Sequence, residues 1–413
     1  CEVSRTEKQE QQMIEADFLS LAGEMQEQLS AWRREIHKHP ELGFQEHRTA
    51  RLVADVLEGL GLDVRTGIGK TGVIGQIGSG KPAVGLRADM DALAIQEAND
   101  VPYASVNPGV MHACGHDAHT AVLLGCAALL SKLPDRPAGE IRLLFQPMEE
   151  GWDEQAKGGA LRMIEDGALE GLDAVAALHV DSTLSSGSIA LSAGPVMAGV
   201  DPYDAVILGK SSHSGSPQQG VNPIALLAQV IQTILAIPSQ HTDPLKPGLI
   251  SCEAVHGDSS SGVIPGEVSL HGNIRYYDPE TRRAIHQALE NALSSVRAQG
   301  GDYRINIQGV YPPTSNDPDL TALIHRTARD LIGKDRVIPM EQSLAGEDFG
   351  YLAREVPGVY FHLGAGLEGD FRPYHNPHFE IDESALPVGT AVLSAAAVHF
   401  LEEQPRGNPG KIE

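Results

Sequence analysis

A chain of 413 residues, 41% apolar and 21% charged, has the composition of a globular protein with room for two domains and a sizeable core. Acidic residues outnumber basic ones 55 to 31, a formal net charge of -24, which argues against nucleic acid and anionic lipid as partners. No stretch approaches the roughly 20 apolar residues of a membrane-spanning helix, no apolar signal-peptide core is present, and Cys1, Cys114, Cys126 and Cys252 lack the spacing of a disulfide framework.

Cys1 opens the sequence and Glu2 to Gln12 is polar and charged, as in processed bacterial lipoproteins whose first cysteine is acylated. That reading places the protein in the bacterial cell envelope or periplasm, meeting a membrane only through a lipid on Cys1. Without the lipid the expectation is cytoplasmic, and a trimmed start would look the same. Met13 to Lys38 predicts a charged amphipathic helix. It ends at His39-Pro40, because proline pushes the residue before it out of the helical region. Glu46 to Leu60 predicts a second helix, closed by Gly61. Gly72 to Ile77 and Ala83 to Ala88 read as buried strands, the second running into Asp89-Met90-Asp91. Thr120 to Leu133 predicts a buried helix. Ile141 to Phe145 is a strand leading into Gln146-Pro147-Met148-Glu149-Glu150, Ala160 to Asp166 is helical, and Ala174 to Leu178 is a strand ending at His179. Strands alternating with helices predict an α/β fold with a largely parallel sheet. Asp89, Glu149 and His179 each follow an apolar strand closely, and sites in such folds gather beyond the carboxyl ends of the strands.

From Gly199 the pattern changes. Strand Tyr203 to Leu208, helix Asn222 to Leu235, strands Leu249 to His256 and Val268 to Tyr276, helix Glu280 to Gln299 and strand Tyr303 to Val310 follow in turn. This β-α-β-β-α-β order is the split, ferredoxin-like arrangement. The first domain then resumes with helix Leu320 to Ile332, strand Val359 to Leu363 and helix Pro387 to Glu402. The expected division is 13–198 and 315–403 for a catalytic domain and 199–314 for an insert, with flexible tails at 1–12 and 404–413.

The chemistry lies in a few polar residues. Cys114 and His116, two apart, would fall on nearly opposite faces of a helix, so they are expected on a loop or extended segment. Adjacent carboxylates of an extended Glu149-Glu150 point in different directions, so that one can ligate while the other faces water or substrate. Taken singly, each residue has a plainer reading: a structural cysteine, solvated surface acids, a satisfied core histidine at His179, an exposed turn at His213, an ordinary loop histidine at His375. Together, thiolate, imidazole and carboxylate form a transition-metal ligand set with a spare acid-base beside it. His112, His119 and His378 read as outer-shell or unrelated.

Six ordered motifs carry a resemblance: Gly85-Leu86-Arg87-Ala88-Asp89-Met90-Asp91-Ala92-Leu93, His112-Ala113-Cys114-Gly115-His116-Asp117, Gln146-Pro147-Met148-Glu149-Glu150-Gly151, Leu178-His179-Val180, Gly346-Glu347-Asp348-Phe349 and His375-Asn376-Pro377. They resemble the metallo-aminoacylase and carboxypeptidase clan, in the amidohydrolase branch of hippurate hydrolase and the plant hydrolases of indole-acetyl amino acid conjugates. The match runs from about Ala31 to Phe400. The resemblance implies a dinuclear-metal, exopeptidase-like catalytic domain with an inserted lid and dimerisation domain, in a homodimer. It assigns Cys114 as the bridging ligand, with His116, Glu150, His179 and His375 as further ligands and Glu149 as general base and acid. It gives His213 the oxyanion, often that of the partner subunit's site, Arg275 the substrate carboxylate, and Asp91 the orientation of a ligand. The cofactor implied is a pair of divalent ions, Zn or Mn first, with Co or Ni compatible. Three departures stand out: Ser211-Ser212 replaces Gly-Gly, Gln218 replaces His after Pro217, and Gly262 replaces the Asn of an Asn-Val-Ile-Pro motif. The implied reaction is hydrolysis of the amide in an N-acyl amino acid; a dipeptidase or carboxypeptidase is the alternative. A non-catalytic metal-binding homologue would have no need of Glu149, and a closed structural metal site would leave no spare acid.

Overall fold

The computed structural model describes residues 18–134 and 136–403, so Cys1, the polar tether and the tail Gln404–Glu413 lie outside the described residues. The chain divides into two compact units, one of Cys1–Val196, Ser315–Glu341 and Asp348–Glu413, the other of Met197–Thr314 and Gln342–Glu347. The sequence expectation assigned Gln342–Glu347 to the catalytic domain. Backbone bonds tie this segment to the insert instead: Ala198 N–H donates to Ser343 O at 3.0 Å and to Ala345 O at 3.1 Å. No local sequence pattern announces such a pairing.

The first unit begins with a helix over 18–24 that breaks at Met25 and resumes as α1 (Gln26–Lys38). One continuous helix was expected here, from Met13. Gly23 weakens the turn before the break, and Met25 N–H closes a tighter bond to Ala22 O. There follow α2 (His47–Gly59), β1 (Asp63–Ile68), β2 (Gly72–Ser79), β3 (Ala83–Asp89), α3 (His116–Ser131), β4 (Gly139–Gln146), α4 (Gly159–Glu165), β5 (Ala174–Ser185) and β6 (Ile189–Ala190).

The second unit holds β7 (Gly199–Leu208), β8 (Ser212–His213), α5 (Pro223–His241), β9 (Gly248–Ile250), β10 (Ala254–His256), β11 (Val263–Ile264), β12 (Glu267–Tyr276), α6 (Pro279–Ser294) and β13 (Asp302–Ile307). Its sheet runs β9-β12-β7-β13, antiparallel throughout, with β10 also on β12. The strand expected over Leu249 to His256 is therefore two short strands. Inward residues of β7 and β12, such as Tyr203, Ala205, Leu270 and Ile274, bury against Leu227, Val230 and Ile234 of α5 and Ile285 and Leu289 of α6.

The chain returns to the first unit as α7 (Pro318–Ile332), β14 (Val337–Ile338), α8 (Phe349–Glu355), β15 (Gly358–Gly366) and α9 (Leu386–Glu403). The sheet order is β1-β2-β4-β3-β5-β15-β6-β14. The centre, β4-β3-β5-β15, is parallel, as is the outer β6-β14 pair. The β1-β2, β2-β4 and β15-β6 pairs are antiparallel, so the sheet is mixed rather than largely parallel. Every residue of β3 is buried, as expected of a strand covered on both faces. α3 and α9 are apolar almost all round and correspondingly buried. At Gly125 of α3 a Cβ would sit 2.6 Å from Leu29 Cδ2 and 2.7 Å from Thr390 Oγ1, so glycine is what lets α1, α3 and α9 approach there.

Among the described residues, two helices, Pro223–His241 and Glu383–Glu403, are long and apolar enough to cross a membrane by length and composition, contrary to the expectation of none. The second is 94% buried as a core helix, and the first buries one face on its unit's sheet.

A buried ion cluster anchors the start of α3. Arg33 Nε donates to Asp117 Oδ2 at 2.8 Å, and its other nitrogens meet Glu380 at 2.6 Å and Glu383 at 3.2 Å. His37 donates to Asp117 at 2.8 Å and to Glu97 at 3.1 Å. Burial alone would push His37 down, but the Asp117 charge and these bonds outweigh it and raise it to about 9. Its contribution is therefore complete below the unfolded value near 6.5 and is lost as pH rises through about 9. We expect urea melts between pH 6 and 10 to lose roughly 3 kcal/mol of stability through this group. The His37→Gln variant should be less stable at pH 6 and lack that part of the alkaline slope; parallel slopes in the two proteins would refute the assignment.

Candidate metal centre

Three strands deliver the candidate ligands to one edge of the first unit's sheet. β3 leads to Asp91, β4 to Glu149 and Glu150, and β5 carries His179. β5 does not stop before His179, as expected, but continues to Ser185 alongside β15. His116 is the first residue of α3 rather than part of a loop, and Cys114 lies just before it. Gly115 caps the helix at φ 93°. This left-handed turn suits glycine, and a Cβ there would lie 2.3 Å from Val180 Cγ2. The turn brings Cys114 and His116 to one place instead of opposite faces. Glu149-Glu150 is not extended either. Met148 sits at φ 42°, and the amides of Glu149 and Glu150 then both donate to Asp91, at 3.0 and 2.9 Å. Both carboxylates consequently approach His116 Nε2, each at 3.9 Å.

The ligand-type atoms fall into overlapping groups, each within 4.8 Å: Cys114 with His116 and His179; Cys114 with Glu150 and His375; His116 with Glu149 and Glu150. Cys114 belongs to the first two, the position a bridging ligand would occupy. Neighbouring bonds assign the histidine tautomers. His116 Nδ1 donates to Asp91 Oδ1 at 3.2 Å and His179 Nδ1 to Val180 O at 2.7 Å. Each ring thus presents Nε2, and that of His179 lies 3.4 Å from Cys114 Sγ. Such outer bonds orient an imidazole and fix which nitrogen can ligate. His375 is held by its backbone, at φ 54°, with N–H donating to Ala113 O at 2.8 Å. Its Nε2 stands 3.1 Å from Glu150 Oε1.

The electrostatics of the site suit a cation. His116 Nε2 is buried and makes no hydrogen bond, a costly state unless another group meets it, and Glu150 Oε1 is buried beside it with His375 Nε2 at 3.1 Å. Burial, then the charges of Glu150, Glu149 and Asp89, push the Cys114 thiol well above its ordinary range. Burial opposes charge on His116, yet Asp89, Asp91 and Glu150 raise it to about 10. Burial and the neighbouring His119 push His179 well down. Carboxylates, thiol and oriented imidazoles around the buried, unbonded His116 Nε2 form a donor set that fits divalent transition metals.

In the second unit, His213 is exposed on β8, paired with Val263. Its Nδ1 accepts from Gly215 N–H at 3.0 Å, so the neutral ring carries its proton on Nε2, as an oxyanion donor requires. Gly262 stands at φ 82° with open space where a side chain would project. Glycine and asparagine both tolerate that conformation, so the departure at this position removes a side chain without disturbing the turn. Arg275 Nη1 donates to Leu344 O at 2.5 Å. Asp89, read from sequence only as a strand-end residue, and His119, read as outer-shell or unrelated, form a further, fully buried group with His116. Their spacing, thirty residues apart on a strand and a helix, offers no local signal.

The model of peptidase family M20/M25/M40 matches residues 85–399. Thermostable carboxypeptidase 2 of Saccharolobus solfataricus is 38% identical over 375 residues, covering 89% of this chain and 94% of its own length. N-acetyl-L-cysteine deacetylase of Bacillus subtilis is 38% identical over 382 residues, covering 92% and 89%. Among solved structures, the Bacillus subtilis YXEP protein, described as a dinuclear metal binding peptidase, superposes with a TM-score of 0.81 at 32% identity, covering 92% of this chain and 99% of its own.

The shared position of Cys114 generates a test. Metal analysis of the purified protein after loading with Zn or Mn should find two ions per chain. Cys114→Ala should weaken both, whereas His179→Ala should weaken one. Equal retention in the two variants would remove Cys114 from the shared position.

Proposed function

The chain belongs to peptidase family M20/M25/M40, and from that premise we propose that this metal-dependent amide hydrolase cleaves N-acyl amino acids. The observation that carries the reading is the convergence of Cys114, His116, Glu150, His179 and His375, with the Glu149 carboxylate beside them. Two divalent ions held by the five ligands would acidify a water and polarise the amide carbonyl. Glu149, surplus to the ligand set, takes a proton from the attacking water and passes it to the departing amine, the task of a general base that becomes an acid. Asp91 holds the Glu149 and Glu150 amides and the His116 ring, and so sets where that proton is received. The second unit is read as a ferredoxin-like lid and dimerisation domain. Its His213 Nε2–H would donate to the tetrahedral oxyanion, where preorganised donors have their largest effect. Arg275 suits the carboxylate of the amino acid half, since a guanidinium binds it with two parallel bonds. A dipeptidase or carboxypeptidase is the second reading, favoured by the 38% identity to a protein named carboxypeptidase. N-acetyl-L-cysteine deacetylation by an equally similar relative favours the first.

A panel of N-acyl amino acids and dipeptides, offered to the metal-loaded protein, separates these readings by kcat/KM. Preference for a free amino terminus would reject the acyl reading. Glu149→Gln should keep fold and metal content while turnover falls by roughly three orders of magnitude or more. His213→Ala should lower turnover with metal content unchanged. Mixing His213→Ala with Glu149→Gln in a protein that exchanges subunits restores activity only if His213 acts across a dimer.

A further inference from the structure

The most heavily bonded buried groups beside the candidate ligands are not ligands themselves. Arg87 is wholly buried on β3. Its Nη1 donates to Asp89 Oδ2 at 2.6 Å, Nε to Gln146 Oε1 at 2.9 Å and Nη2 to Asp348 Oδ1 at 2.9 Å. Asp348 is held in turn by Gln146 Nε2 at 2.7 Å and by Ala160 N–H at 3.0 Å. The other oxygen of Asp89 lies 2.5 Å from His119 Nδ1. At the far side of the ring, His119 Nε2 accepts from Val180 N–H at 2.9 Å. That donor settles the tautomer: Nε2 carries the lone pair, so Nδ1 carries the proton and donates to Asp89.

The far end of this chain of bonds is the peptide immediately after His179. β5 pairs with β3 only as far as Arg87 opposite Ala177. Beyond that point β3 no longer offers β5 an acceptor, and His119 supplies one to Val180 N–H. The Val180 carbonyl is held as well, by Tyr374 OH at 2.6 Å and His179 Nδ1 at 2.7 Å. The His119 ring also packs edge-on against His179, with centroids 4.4 Å apart. With both of its own nitrogens in hydrogen bonds, His119 has no lone pair to offer a metal.

We propose that His119 is a positioning residue: through Val180 N–H it fixes the peptide that aims His179 Nε2, while Arg87 and Asp89 hold its tautomer. The inference rests on the metal-site reading above. It makes the effect selective, because His179 belongs to the group with Cys114 and His116 and not to the group with Glu150 and His375.

The test uses full-length, metal-stripped protein titrated with Co(II), read by d–d absorption and by the thiolate-to-Co(II) charge-transfer band. Three variants divide the two bonds. In His119→Gln the side-chain oxygen can reach the Nε2 position and accept from Val180. In His119→Asn the amide N–H can reach Asp89 but nothing reaches Val180. His119→Phe retains neither bond. Wild type should bind two equivalents. Asn and Phe should weaken one of them by about 10–100-fold, the usual effect of losing an outer-shell partner, and leave the other unchanged. Gln should restore binding and the wild-type spectrum to within a few-fold. Two unchanged affinities in Asn and Phe would overturn the inference, as would a Gln variant as impaired as Phe. Wild-type protein that takes up no Co(II) would overturn the metal-site reading and this inference with it. Far-UV circular dichroism and urea midpoints check the fold. If the Phe variant does not fold, the contrast between Asn and Gln carries the test.

Discussion

Ionisable groups removed from water must be neutralised where they stand, and at the carboxyl edge of the first unit's sheet that requirement governs the surrounding structure. Asp89, Asp91, Glu149 and Glu150 meet there with four imidazoles, three of them buried, and a thiol. Isolated charges at such depth would cost several kcal/mol each. Two kinds of partner meet the requirement. Asp89 and Asp117 are matched by arginines, Arg87 and Arg33, inside the protein. Glu150 Oε1 meets only the half-exposed His375 and His116 Nε2 has no hydrogen-bond partner, and this is where a cation would fit. The division separates groups that hold the scaffold from groups turned toward chemistry, even where, as with His116 and Asp117, they are neighbours in the chain.

Only some parts of the site are legible in the amino-acid sequence. The five candidate ligands and Glu149 can be read there because strand ends and glycine turns are local signals, and because the motifs occur in a characteristic order. The backbone that aims them is less legible. Two residues apart, Cys114 and His116 read as parts of one loop, and that His116 instead opens α3 is seen only with Gly115 at φ 93°. Glu149-Glu150 looks extended until Met148 is seen to turn. β1 and the antiparallel margin of the sheet escape a sequence reading because half-exposed, weakly alternating strands acquire their identity from neighbours. Arg87, Asp348 and His119 cannot be linked from sequence, since their bonds join residues as much as 261 apart.

The second unit makes the same point about specificity. Its β-α-β-β-α-β order is visible in the alternation of periods, yet the association of Gln342–Glu347 with it is not. Two of the bonds that make this association, Ala198 to Ser343 and Arg275 to Leu344, involve main-chain carbonyls, which carry no side-chain signature. Arg275 is thus bonded to a segment whose sequence places it elsewhere. Substitutions at Ser343 to Ala345 that shift this backbone would alter the reach of Arg275.

The burial of α3 bears on how fast a metal could come and go. His116 opens a helix buried at every position from His116 to Leu130, and His179 lies within a paired strand. Releasing either by local opening would cost nearly as much as unfolding the unit, since such core elements open last. His375 differs: it lies on a loop with its side chain 54% exposed. Were ions held at these residues, one at Glu150 and His375 could leave by a loop excursion, whereas one at His116 and His179 would be held by residues whose backbone opens only with the unit's core. Two positions within one site would exchange on separate clocks.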